Sequence, residues 1–291
     1  MTRSPTRSPL PTIRDLVTPE EFRACVQLQE LTWGAGFSEK VPTAILGIAA
    51  RMGGVVAGAV LPDGSLAGFV FGLTGLEDGV PTHWSDMLAV RPGFRDRGLG
   101  WALKMHQRDR LLALGVTEVR WTFDPLEAPN AHLNLARLGG VAREYVEDMY
   151  GDSDSPLHRG IGTDRLIVRW QLDSPRVRMR LAGQDPDDSL RKAGPPVPVL
   201  SVQAKVDPAG EPMEVPGSAR FDLEDPVLAL PIPPNLQALK ARAPDAALLW
   251  REQTRLLLRH YLDRGWEVRE FDRAVPMPRY LLVRRDGFHA H

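Results

Sequence analysis

Between positions 95 and 100 the chain reads Arg95-Asp96-Arg97-Gly98-Leu99-Gly100, and no other stretch has residue types and spacing so suited to chemistry. Gly98 and Gly100 remove the Cβ atoms that hold an anion off the backbone. At a helix entrance the unpaired N–H groups converge on one spot, and the helix dipole adds positive potential there. Arg95 and Arg97 add charge-assisted donors for phosphate oxygens. A P-loop is excluded, because Leu99-Gly100 stands where Lys-Ser/Thr must follow the glycine spacing of Gly93 and Gly98. A dinucleotide fingerprint fits poorly: Leu103 replaces its third Gly or Ala, and Glu118 precedes a strand instead of ending one.

Other reactive types are sparser. His83 and Asp86 lie on the segment just before the turn, and each has a second reading as an ordinary strand residue, exposed in the case of His83. Trp250-Arg251-x-x-x-Arg255 sets two guanidinium groups on one helix face. Like charges at that spacing repel by a few tenths of a kcal/mol, so a bound carboxylate between them is one reading and a Glu-paired or solvated face the other. His106 shares a helical stripe with Leu99 and Leu103 and reads as a hydrogen-bonded packing residue. His289 and His291 are terminal and too few for a metal, and none is expected.

These residues need a scaffold, and the sequence outlines one. Thr12–Val17 is a short strand. Thr18 caps a helix opened by Pro19, with Glu21 in the capping-box position, and a second helix runs over Pro42–Met52. Strands at Gly54–Leu61 and Leu66–Leu73 flank the turn Pro62-Asp63-Gly64-Ser65 and form a hairpin. A strand over His83–Val90 leads into the glycine turn and a helix over Arg97–Leu114, stopped by Gly115. Strand Glu118–Phe123, a short helix Asn130–Leu138 and strands Val141–Val146 and Leu166–Leu172 follow. Prolines then punctuate Ser174–Ser218, where one strand, Val197–Val206, is expected. Beyond it come Val227–Ile232, a helix Asp245–Arg264 closed by Gly265, and strands Trp266–Phe271 and Tyr280–Arg284.

The fold class is α+β, or α/β: a mixed twisted sheet flanked by helices, with a smaller α+β lobe. The expected organisation is a tail at 1–11, a first domain at 12–173, a Pro-rich connector at 174–218 and a lobe at 219–291. A net charge of −1 gives no field to gather nucleic acid or an anionic membrane. Cys25 is the only cysteine, so no intrachain disulfide is possible. The apolar runs fall well short of the roughly 20 residues of a membrane span, and the tail has no apolar core of a signal peptide. A soluble, cytoplasmic protein is expected.

The turn, with Leu88-Ala89-Val90-Arg91-Pro92 before it and Trp101-Ala102-Leu103 after, resembles the Arg/Gln-x-x-Gly-x-Gly/Ala signature of the GNAT superfamily of N-acetyltransferases. The resemblance extends over about Thr12 to Leu172, with elements in the expected order. It implies that coenzyme A rests its pyrophosphate on Arg95, Arg97, Gly98, Leu99, Gly100 and Trp101. The pantetheine would follow the backbone of Leu88, Ala89 and Val90, between two strands that splay apart, with Asn134 beside it. It also implies a base near Asp86, with His83 as alternative. Many members carry a Tyr that protonates the departing thiolate; here Leu135 stands in its place, leaving solvent, Tyr145 or Tyr150.

A narrower resemblance rests on Trp121-Thr122-Phe123-Asp124-Pro125-Leu126, Asn130-Ala131-His132-Leu133-Asn134-Leu135 and Gly162-Thr163-Asp164-Arg165. These runs are similar to a two-lobed GNAT subgroup of amino-acid N-acyltransferases, some using succinyl-CoA. It implies that Asp124 and Asn130 grip the acceptor, though a turn and a helix cap also account for them. The expected activity is transfer of an acetyl or succinyl group from acetyl-CoA or succinyl-CoA to a small-molecule amine such as an amino acid. A CoA-binding sensor without turnover is the alternative, and a nicotinamide-dependent oxidoreductase a distant one. The oligomeric state is left open.

Overall fold

A computed structural model describes residues 10–285 apart from Ala35, Ser38, residues 152–157, Pro186, Asp188, Ser189 and Arg191. Most of the expected tail, and His289 and His291, lie outside the described residues. The chain divides into two compact units, Met1–Val119 and Arg120–His291. Both are α+β, with helices packed on a sheet.

In the first unit the order is β1 (Thr12–Asp15), α1 (Pro19–Trp33), α2 (Thr43–Arg51), β2 (Val55–Val60), β3 (Leu66–Glu77), β4 (Val80–Val90) and α3 (Leu99–Ala113). The strands pair β1-β2-β3-β4, antiparallel throughout. Local chemistry fixes several boundaries. Thr18 Oγ1 accepts the Glu21 N–H at 3.3 Å while the Glu21 carboxylate accepts the Thr18 N–H at 2.9 Å, so α1 begins on a complete capping box. In the β2–β3 turn Gly64 takes φ 82° and Asp63 Oδ1 accepts the Ser65 N–H at 3.0 Å. α1 and α2 cover one face of this sheet through Phe22, Cys25, Leu28 and Leu46 against Phe69 and Phe71. Cys25 is thus a core residue, its thiol pushed up to about 12 by burial and by the nearby Glu21 charge.

β3 and β4 run further than the sequence reading allowed, to Glu77 and from Val80. They meet through Asp78 and Gly79, with φ 50° and 79°. An Asp-Gly pair with both φ positive is the two-residue turn that suits a right-twisted hairpin.

β5 (Glu118–Phe123) runs into the second unit. There follow α4 (Ala128–Ala131), a π-helical turn His132–Arg137, β6 (Val141–Val146), β7 (Arg165–Gln171) and α5 (Pro175–Leu181). Next come β8 (Val197–Pro198), β9 (Leu200–Val206), β10 (Pro212–Ala219), β11 (Val227–Pro231) and α6 (Leu236–Arg242). α7 (Pro244–Asp263), β12 (Trp266–Asp272) and β13 (Arg279–Arg284) complete it. The sheet order is β5-β7-β6-β12-β13-β11-β8, with β11 and β8 parallel, and β9–β10 form a separate two-stranded sheet.

Two features depart from the expected organisation. β6 pairs with β12 at Ala142↔Val268, so one sheet joins residues on both sides of the Pro-rich stretch, and the units divide near Val119 rather than after 173. That stretch also carries α5 and a hairpin instead of a single strand. β10 keeps Pro212 and Pro216 because both strands of a two-stranded sheet are edges, where a missing N–H is tolerated. No described helix is long and apolar enough to cross a membrane.

Candidate functional site

β4 ends at Val90, a 3₁₀ turn spans Pro92–Phe94, and the chain reaches α3 through Asp96 at φ 60° and Gly98 at φ 78°. Left-handed backbone is costly for most residues and free for glycine. A Cβ built on Gly98 meets nothing within 4 Å, so the glycine answers to the backbone angle and not to crowding by the fold. No side chain caps α3, and its first intrahelical bond runs from the Ala102 N–H to the Gly98 carbonyl at 3.0 Å. The N–H groups of Leu99, Gly100 and Trp101 are therefore the orphan donors of the helix entrance. Arg95 donates from Nε to the Val90 carbonyl at 3.1 Å, and Arg97 lies over the Phe94 ring at 5.5 Å. Both arginines are exposed at the turn. The arrangement can bind a phosphate or diphosphate.

β4 carries the acid–base candidates on opposite faces. Its pairing with β3 shifts between Phe71↔Met87 and Leu73↔Trp84, leaving one extra residue on β4 at Ser85–Asp86. Such a bulge re-aims side chains and is common beside active sites. Asp86 points outward. Desolvation by surrounding protein and the Glu39 charge raise its carboxyl above the ordinary range, against a hydrogen bond with Trp84. Beyond the bulge Ala89 is buried, and Leu88 and Val90 are half-buried.

His83 is buried, not exposed as one sequence reading had it. Its Nδ1 lies 2.9 Å from Thr74 Oγ1 and its Nε2 3.1 Å from Gln107 Nε2, so both ring nitrogens are engaged. Burial and the Lys104 charge push the imidazole down to about 3. The chain of contacts continues inward: Ser85 Oγ donates to Gln107 Oε1 at 3.0 Å, and Lys104 Nζ lies 2.7 Å from Ser85 Oγ. Burial pulls the Lys104 ammonium down to about 7. Ser85, Lys104 and Gln107 escaped sequence reasoning. The available signal was spacing, since Gly100, Lys104, Gln107 and Leu111 fall on one helical face. His106 does pair, through Nε2, with Asp15 at 2.7 Å.

The second unit gathers most of the other candidates. Asp124 accepts the Leu126 N–H at 2.8 Å and Arg251 Nη2 at 2.6 Å, combining a turn role with a buried ion pair. Arg255 donates to Asp164 at 2.8 and 2.7 Å and also pairs with Glu147. Each guanidinium thus answers to its own carboxylate, and the two do not stand open to share one anion. Asn130 is exposed inside α4, which Glu127 precedes as N-cap, so it is not a cap. Asn134 is buried in the π-helical turn, a distortion that often marks functional positions. Leu135 is fully buried. Tyr145 donates to Asp164, and burial and that charge raise its phenol. Tyr150 OH lies 3.1 Å from Thr122 Oγ1.

No family model and no curated protein matches this chain. Solved structures do. The ribosomal-protein-S18-alanine N-acetyltransferase from Escherichia coli is 19% identical over 56% of this chain and 94% of that chain, with TM-score 0.44. An acetyltransferase of the GNAT family from Streptococcus pneumoniae is 15% identical over 54% and 97%, with TM-score 0.43. Arabidopsis thaliana Naa50, in complex with the bisubstrate analogue CoA-Ac-MVNAL, is 14% identical over 54% and 96%, with TM-score 0.43.

Proposed function

We propose that this chain is an acyl-CoA-dependent N-acyltransferase. The observation that carries the reading is the uncapped entrance of α3, reached through left-handed Gly98 and flanked by Arg95 and Arg97. An anion-binding helix end of that form suits the diphosphate of coenzyme A, and the residues there match the Arg-x-x-Gly-x-Gly signature. The donor's pantetheine follows the backbone of Leu88, Ala89 and Val90, and an N–H in that stretch polarises the thioester carbonyl. The acceptor's neutral amine attacks the carbonyl carbon; the C–N bond forms, the C–S bond breaks and the thiolate leaves. Asp86 takes the amine proton, directly or through water, and its raised carboxyl suits a base working near neutral pH. The acyl group is acetyl or succinyl, and the acceptor a small-molecule amine such as an amino acid.

A second reading, a CoA-binding module without turnover, draws on Leu135 where a proton-donating Tyr is usual and on Tyr145 being committed to Asp164. A thiolate leaves far more readily than an alkoxide, so absence of that acid is tolerable for catalysis. Thiol release from acetyl-CoA and succinyl-CoA with a panel of amines separates the two. Amine-dependent release supports the enzyme; CoA binding with no release from any amine supports the module.

A further inference from the structure

Arg251 lies in the middle of α7 and is 1% exposed. Its Nε donates to the Ile161 carbonyl at 2.9 Å and its Nη2 to Asp124 at 2.6 Å, while Nη1 is buried with no partner among the described residues. Arg165, also buried, converges on the same carboxylate, its Nη1 4.0 Å from Asp124 Oδ2. The remaining contacts of Arg165 are uncharged: Nη1 to the Asp164 carbonyl at 2.8 Å and Nη2 to His158 Nε2 at 3.0 Å. Burial and the Arg165 charge push His158 down to about 4, so it adds no charge at neutral pH. Asp164 belongs to Arg255, and Glu127 accepts from Gln237 Nε2 at 2.6 Å. Two enclosed guanidiniums therefore converge on Asp124, the Asp164 and Glu127 charges also act on Arg251, and Arg251 Nη1 has no partner among the described residues.

Buried charges are ordinarily paired, and an unmet buried donor of a cation is among the costlier defects a fold can carry. A bound carboxylate would satisfy the orphan donor, since guanidinium groups bind carboxylates through charge-assisted N–H contacts. We propose that Arg251 and Arg165 form a carboxylate-binding site for a small amino-carboxylate such as an α-amino acid. The role given to the amine rests on the acyltransferase reading; the binding of the carboxylate does not. Tyr150, 38% exposed, lies beside this pair, its ring 5.1 Å from the Arg165 guanidinium. Its hydroxyl lies 3.1 Å from Thr122 Oγ1.

The test is calorimetric titration of the full chain with N-acetyl derivatives of the common amino acids, each beside its carboxamide, which has the same shape without the charge. At least one acid binds, its carboxamide binds about tenfold more weakly or worse, and Arg165→Gln loses a similar factor. Equal binding of acid and carboxamide overturns the site, as does failure of every acid to bind, or full affinity in a folded Arg165→Gln. The acid–carboxamide comparison needs no variant, so misfolding of Arg165→Gln leaves the test intact. CoA titrated in parallel separates the two ideas. CoA binding without acid binding sinks this site alone, and acid binding without CoA binding sinks the donor reading alone.

Discussion

Replacing Lys104 with Met removes a buried ammonium and keeps nearly the same side-chain length. In the folded chain Lys104 Nζ lies 2.7 Å from Ser85 Oγ and 3.3 Å from Gln107 Oε1, and burial pulls its ionisation from 10.5 down to about 7. Between those two values the unfolded chain holds the proton and the folded chain does not, so stability rises with pH across that window. Below pH 7 both states are protonated and the folded state bears the whole cost of the buried charge. Integrated from pH 7 to pH 9 the gain is about 2 kcal/mol. Lys104→Met has no such group, and Ser85 retains its bond to Gln107. His83, held down to about 3, stays neutral throughout the window. Urea unfolding of both proteins at pH 7 and pH 9, followed by tryptophan fluorescence, reads the difference, and other titrating groups cancel in it. The variant's stability relative to the native chain should fall by about 2 kcal/mol on going to pH 9. A difference that does not change with pH refutes the reasoning.

Asp86→Asn should lower kcat by about 10²–10⁴-fold with CoA affinity unchanged, and the native pH–rate profile should rise through a value above the ordinary carboxylate range. A loss below about tenfold in steady-state assays removes Asp86 as the base. Gly72→Ala should destabilise the first unit by about 1–3 kcal/mol, because a Cβ there meets the His83 ring and the Trp84 carbonyl. An unchanged thermal melt contradicts that packing. Arg255→Gln leaves the fully buried Asp164 short of its main cation, though Arg255 is 23% exposed, so a loss of about 1–3 kcal/mol is expected. It should appear as a lower Tm with CoA affinity kept; loss of CoA affinity at native Tm contradicts a structural role.

What could be read from sequence was local. The capping box of Thr18 and Glu21, the Pro-Asp-Gly turn at 62–64 and the glycines that end α3 and α7 act within a few residues of themselves. The Asp78-Gly79 turn is equally local, but Gly75 and Pro81 on either side of it are poor strand formers and obscure the strands it joins. The edge-strand prolines of β10 misled for a related reason: propensity counts the missing N–H and cannot know that the edge needs none. The partners of Arg251 and Arg255 lie 127 and 91 residues away, at Asp124 and Asp164, so helical spacing showed two cations without their anions. Lys104 stood on a buried stripe, but whether a lysine there is enclosed or snorkels to water depends on the strand beneath it.

The central claim is that the backbone at the entrance of α3 holds the donor's diphosphate, and CoA titration of Gly98→Val tests it most directly. The fold leaves open space at that Cβ, so the substitution costs only the left-handed angle, about 1–2 kcal/mol, and the chain should still fold. CoA affinity should then fall by about tenfold or more, as the side chain and the shifted backbone keep the phosphates from the Leu99, Gly100 and Trp101 amides. A folded Gly98→Val chain that binds CoA as the native chain does would contradict the account.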